Sequence, residues 1–144
     1  MTATDPILLV EDNADDRDLT LMAFKESNIV NRIDVARDGQ EALDYLADTS
    51  RPLPALVLLD LKLPRVMGLD VLKRVREDPR TQLVPIVVLT SSKEESDRYR
   101  SYVSGVNAYV QKPVDFDEFA SAVRELGLFW LVLNQPPGNG QPAG

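Results

Sequence analysis

Leu56-Val57-Leu58-Leu59-Asp60-Leu61-Lys62-Leu63-Pro64 decides how the rest of the chain is read. Four consecutive apolar residues suit a strand buried on both faces, as in a parallel sheet. A carboxylate at its C-terminal end stands where open α/β sheets bind their ligands. Three further apolar segments end in a similar way. Residues 7–10 run into Glu11-Asp12, residues 86–89 into Thr90, and residues 108–110 into Gln111-Lys112-Pro113. With the four as parallel neighbours, three carboxylates, a hydroxyl and an ammonium converge on one edge of the sheet.

The segments between these runs read as helices. Asn13 is placed to cap a helix over residues 14–26, with acids in its first turn. Ile33 and Val35 alternate in a short, more polar strand suited to a sheet edge. Asp38-Gly39-Gln40-Glu41 has the spacing of a capping box and opens a second helix. A third helix carries Leu69, Leu72 and Val75 and is stopped by Asp78-Pro79. A fourth is expected over 94–104, with Gly105 at its C-cap. A fifth follows the capping box Asp115-Phe116-Asp117-Glu118, and Phe116, Phe119, Val123, Leu126 and Trp130 form its apolar stripe. The expected fold is a doubly wound α/β domain over residues 1–133. From Asn134 onward six of eleven residues are Pro or Gly, which predicts a disordered tail over 134–144.

At 144 residues the chain can bury a core without staples, and it contains no cysteine for disulfides or thiolate metal sites. A net charge of −7 argues against direct nucleic-acid binding. The longest apolar stretch, 128–133, is far short of the ~20 residues that span a bilayer. With no basic-then-apolar N-terminus either, the expectation is a cytoplasmic protein without a membrane partner.

Taken singly, each residue of the constellation has an ordinary explanation. Glu11 and Asp12 suit the dipole of the first helix. Asp60 suits a solvated turn, Thr90 is a common β-former, Lys112 a solvated lysine and Tyr109 a half-buried strand aromatic. Their combination, in order at four strand ends, is what points to chemistry. Clustered carboxylates repel each other by about 4 kcal/mol per pair at 4 Å and an effective dielectric of 20, so a cation or protons must relieve them. The chain has no histidine, and oxygen-only donors select a hard cation, Mg2+ above all. Asp60 then reads as a nucleophile forming an aspartyl phosphate, with Lys112 and the Thr90 hydroxyl stabilising the phosphoryl oxygens.

These residues resemble the receiver domain of two-component response regulators, over about residues 6–128. The resemblance rests on Glu11-Asp12, Asp60, Thr90-Ser91, Tyr109 before Lys112-Pro113, and Gly68 and Gly105. It implies the flavodoxin-like receiver fold with strand order 2-1-3-4-5, Mg2+ dependence, and phosphotransfer to Asp60 from a histidine kinase in trans. The implied Mg2+ ligands are Asp12, Asp60 and the backbone carbonyl of Lys62, with Glu11 acting largely through water. A switch through Thr90 and Tyr109 is implied as well. Such a domain catalyses its own phosphorylation and dephosphorylation without being a conventional enzyme. The short chain, the Asp-Leu-Lys-Leu-Pro and Thr-Ser-Ser stretches, and Phe129-Trp130 resemble stand-alone receivers paired with phytochrome-type kinases. Output then passes through protein contacts, and the apolar residues 129–133 predict a homodimer through the fourth helix, fifth strand and fifth helix.

Rival readings fare worse. A flavodoxin-type carrier needs a Ser/Thr/Gly phosphate loop after the first strand, where Glu11-Asp12-Asn13-Ala14-Asp15-Asp16 would repel phosphate. An aspartate-nucleophile phosphatase of the haloacid dehalogenase type wants an acid two residues after the nucleophile, where Lys62 stands. The remaining alternative is a receiver-like interaction module that signals without phosphorylation; the complete set of acid, hydroxyl and ammonium groups argues against it.

Overall fold

The apolar runs form β1 (Ile7–Val10), β3 (Leu56–Asp60) and β4 (Ile86–Thr90). With β2 (Ile33–Ala36) and β5 (Ala108–Gln111) they build a parallel sheet in the order β2-β1-β3-β4-β5. The computed structural model describes residues 5–26, 31–61, 63–90 and 108–111, excluding the side chains of 89, 90 and 108–111. The expected fourth and fifth helices, the tail and the dimer face beyond β5 lie outside the described residues.

Side-chain alternation along the buried strands divides the core into two layers. Leu8 and Val10 of β1, Val57 and Leu59 of β3, and Ile86 and Val88 of β4 pack on one face. They meet Ala42 and Leu46 of α2 (Gly39–Ala47) and Val71, Leu72 and Val75 of α3 (Gly68–Glu77). Ile7, Leu9, Leu56, Leu58 and Val87 face the other way, against Ala23 and Phe24 of α1 (Ala14–Glu26). Fully burying each such aliphatic side chain contributes about 1.5–3 kcal/mol, which is why these strands carry no polar residue until their C-terminal ends. β2, at the edge of the sheet, is only partly buried. The Tyr45 hydroxyl of α2 donates to Asp34 of β2 at 2.6 Å. Burial first, and this carboxylate second, push the phenol pKa up.

The helix ends follow the local sequence. Asn13 Oδ1 accepts the Asp16 N–H at 2.9 Å, capping α1. Asp38 caps α2 by accepting the Glu41 N–H at 2.8 Å. Thr20 is buried in α1, and its hydroxyl is satisfied by donating to the Asp16 carbonyl at 2.9 Å. α3 ends before Asp78-Pro79, where Arg76 donates to the carbonyls of Gln82 and Val84 and the buried Thr81 hydroxyl donates to Val75. Among the described residues no helix is long and apolar enough to cross a membrane.

Candidate functional site

Sheet register brings the sequence-predicted residues to one edge. Val10 is level with Leu59, so Glu11, one residue on, comes level with Asp60. Asp60 is level with Leu89, and Thr90 is level with Gln111, the residue before Lys112. Thr90 therefore lies on β4, the neighbour of β3, one residue past the level of Asp60, while Tyr109 lies on β5, two strands from Asp60 and level with Val88. Lys62 and Lys112 lie outside the described residues.

Glu11, Asp12 and Asp60 each offer a carboxylate oxygen, and these atoms all lie within 4.8 Å of one another. Glu11 and Asp60 are buried at 3% and 8% exposure, whereas Asp12 is exposed. This gives the cluster two supported walls and one open side, through which a ligand can enter. Carboxylates this close repel, the two buried ones most, and a divalent cation would relieve that repulsion. All the donors are oxygen, and neither His nor Cys exists in the chain to draw a softer metal. The residues present fit Mg2+, which accepts one or two carboxylates while keeping several waters.

The acidic loop is held by its own backbone. The Glu11 N–H donates to the Ala36 carbonyl at 3.0 Å, extending the β1–β2 ladder by one residue. Glu11 Oε2 accepts the Asn13 N–H at 3.3 Å. From α1, Arg17 Nη1 donates to the carbonyls of Glu11 and Asp12 at 3.2 and 2.9 Å. One arginine thus fixes both peptide units of the acidic pair. Nothing in the sequence analysis singled out Arg17. Its position one turn into α1, five residues after Asp12, is the local signal that would have found it.

The loop after Asp60 is fixed by backbone contacts on two sides. The Gly68 N–H donates to the Leu61 carbonyl at 3.1 Å, and a Cβ on Gly68 would lie 2.4 Å from the Asp60 carbonyl oxygen. The Gly39 N–H points at the Pro64 carbonyl at 3.5 Å, and a Cβ on Gly39 would lie 2.0 Å from the Val66 carbonyl oxygen. Between these anchors Arg65 adopts φ 68°, a left-handed conformation costing a non-glycine residue roughly 1–2 kcal/mol. Its Nη1 donates to Asp38 Oδ2 at 3.2 Å. Sequence reasoning missed this pair because its partners are 27 residues apart.

Comparison with known proteins agrees with this arrangement. The family model described as the response regulator receiver domain matches residues 7–124. The probable methanogenesis regulatory protein FilR2 of Methanothrix harundinacea is 42% identical over 143 residues, 96% of this chain and 92% of its own. Response regulator Rcp1 of Synechocystis sp. is 36% identical over 129 residues, 87% of this chain and 88% of its own. A solved Mn2+-bound form of response regulator Rcp1 superposes with a TM-score of 0.83 at 35% identity, covering 93% of this chain and 99% of that one. The bacteriophytochrome response regulator AtBRR superposes with a TM-score of 0.73 at 52% identity, covering 91% of this chain and 98% of that one. With this sheet, this carboxylate cluster and a family match over most of its length, the chain belongs to the response regulator receiver domain family.

Proposed function

We propose that this chain is a phosphoacceptor response regulator whose Asp60 takes a phosphoryl group from a histidine kinase acting in trans. The observation that carries the reading is the convergence of Glu11, Asp12 and Asp60 carboxylates within 4.8 Å at the C-terminal edge of the sheet. In the transfer, an Asp60 carboxylate oxygen forms the new P–O bond. The donor's P–N bond breaks, and the imidazole nitrogen keeps the electron pair. Asp12, Asp60 and the backbone carbonyl of Lys62 would hold Mg2+, and Glu11 would act largely through water. Mg2+, when bound, supplies charge neutralisation for the incoming phosphoryl oxygens. The Thr90 hydroxyl and the Lys112 ammonium stabilise the remaining oxygens, and Thr90 with Tyr109 forms the switch that reports the phosphorylated state. Arg17 holds the peptide units of the acidic pair, so the carboxylates are positioned before the donor arrives.

The Mn2+-bound form solved for Rcp1 supports a divalent-cation site in this fold. The bacteriophytochrome response regulator AtBRR, 52% identical, supports a phytochrome-type kinase as the donor. FilR2, 42% identical, carries a different regulatory name, so the donor is best assigned by phosphotransfer profiling against purified kinases. The five consecutive apolar residues 129–133 support a homodimer through the fourth helix, β5 and the fifth helix. Sedimentation of the wild type against Trp130→Ala tests it; a wild-type monomer at about ten times the concentration used for phosphotransfer contradicts it.

Magnesium titration tests the site itself. Calorimetry is expected to show one Mg2+ binding to the wild type. Asp12→Ala should weaken it about tenfold or more, equivalent to about 1.4 kcal/mol or more. Equal affinities in the two proteins would remove Asp12 from the site.

A further inference from the structure

Arg65 occupies a conformation in which glycine would be unstrained, φ 68°, yet the position holds an arginine. The side chain is therefore expected to do something a glycine cannot. Its guanidinium reaches Asp38 at 3.2 Å, and Asp38 divides its two oxygens between this contact and the N–H of Glu41. One carboxylate thereby joins the N-terminus of α2 to the loop that follows Asp60. The Asp38 side chain is only 11% exposed, so its geometry is set by its surroundings, while the arginine arrives from a more exposed side at 61%. The same two segments also abut through backbone, with Gly39 against Pro64 and Val66. At the far end of the loop, Gly68 lies against the carbonyl of Asp60 and bonds Leu61. A displacement at residue 65 is confined by these contacts between the N-terminus of α2 and the peptide units of Asp60 and Leu61.

We infer that Asp38 and Arg65 form a positioning pair that holds the loop after Asp60 in its cation-binding geometry. The inference rests on the proposed Mg2+ site. Neither residue belongs to the carboxylate cluster, and the pair acts through the backbone contacts of Pro64, Val66 and Gly68 with Gly39, Asp60 and Leu61. Substituting either partner therefore weakens Mg2+ binding without removing a ligand. The two substitutions change the charge near the site in opposite directions, and this separates positioning from a field effect. Losing the Arg65 cation would by electrostatics alone tighten Mg2+ binding, and losing the Asp38 anion would weaken it.

Four proteins decide the matter: wild type, Arg65→Gly, Asp38→Asn and the double variant. Asparagine keeps the N-cap of α2, and glycine accepts the left-handed backbone, so both variants are expected to fold. Urea midpoints in chelator should stay near the wild-type value. Mg2+ titration by calorimetry at low salt should show both single variants weakened about three- to tenfold, and the double variant no weaker than the worse single one. The deficit should shrink at high salt, because the pair is partly exposed. Affinities that move in opposite directions in the two single variants would leave only a field effect and overturn the proposal. Wild-type affinity in both would overturn it as well, while leaving the Mg2+ site intact. A wild type that binds no Mg2+ would instead remove the site, and the positioning role with it.

Discussion

Asp60→Asn is expected to reduce phosphorylation to background while the protein remains folded. Asparagine has nearly the same shape, so the Leu59–Leu61 backbone and the Gly68 contact need not move. It lacks the anionic oxygen that must form the P–O bond, and it removes one of the three carboxylates that define the cluster. Mg2+ affinity should fall in parallel, since the amide oxygen is a neutral and weaker donor to a hard cation. The measurement is hydroxylamine-labile phosphate on wild type and variant, with circular dichroism to verify the fold. Undiminished label on the variant would place the acceptor elsewhere.

Gly68→Ala should destabilise the protein by about 1–2 kcal/mol, even though alanine is the better helix former. Propensity alone favours alanine by about 1 kcal/mol. Against that, the new Cβ would lie 2.4 Å from the Asp60 carbonyl oxygen and 2.7 Å from Leu61 Cα. Both neighbours are backbone, so relief requires moving either β3 or the start of α3 from a packed core, and overpacking of this kind dominates the balance. The Gly68 N–H to Leu61 bond at 3.1 Å would be strained in the same movement. Urea denaturation gives the loss directly, and phosphorylation of the surviving folded fraction should also slow, because the displaced peptide belongs to Asp60. A variant as stable as the wild type would mean that α3 does not approach β3 this closely.

What could be read from the sequence was the part of the fold written in local patterns. Leu56–Asp60 announces a buried strand ending in an acid because each of its four apolar residues is needed on one face or the other of a two-layer core. Asn13 and Asp38 announce helix starts because a cap bonds three residues away. β4 and β5 each run one residue beyond the expected apolar run, to Thr90 and Gln111, because a parallel ladder continues through polar residues while its neighbour supplies bonds. The convergence of Glu11, Asp12 and Asp60 followed from strand order, since the C-terminal ends of parallel neighbours meet. The supports of the site were not legible. Arg65 meets Asp38 across 27 residues, and Gly39 meets Val66 through backbone alone, so no window of sequence contains both partners. Arg17 was within reach of a local reading, but a basic residue early in a helix is ordinarily solvated, and only the structure shows its two carbonyl acceptors.

The central claim is that the carboxylate cluster holds Mg2+ and that Asp60 receives the phosphoryl group. The most direct measurement incubates the wild-type chain with a small-molecule acyl phosphate, with Mg2+ or with excess chelator. Borohydride then reduces any acyl phosphate on the protein, and the modified residue is mapped by peptide mass spectrometry. The account predicts one modified residue, Asp60, in the Mg2+ sample and none in chelator. Modification of Asp60 to the same extent in chelator, or of a different residue in Mg2+, would contradict it.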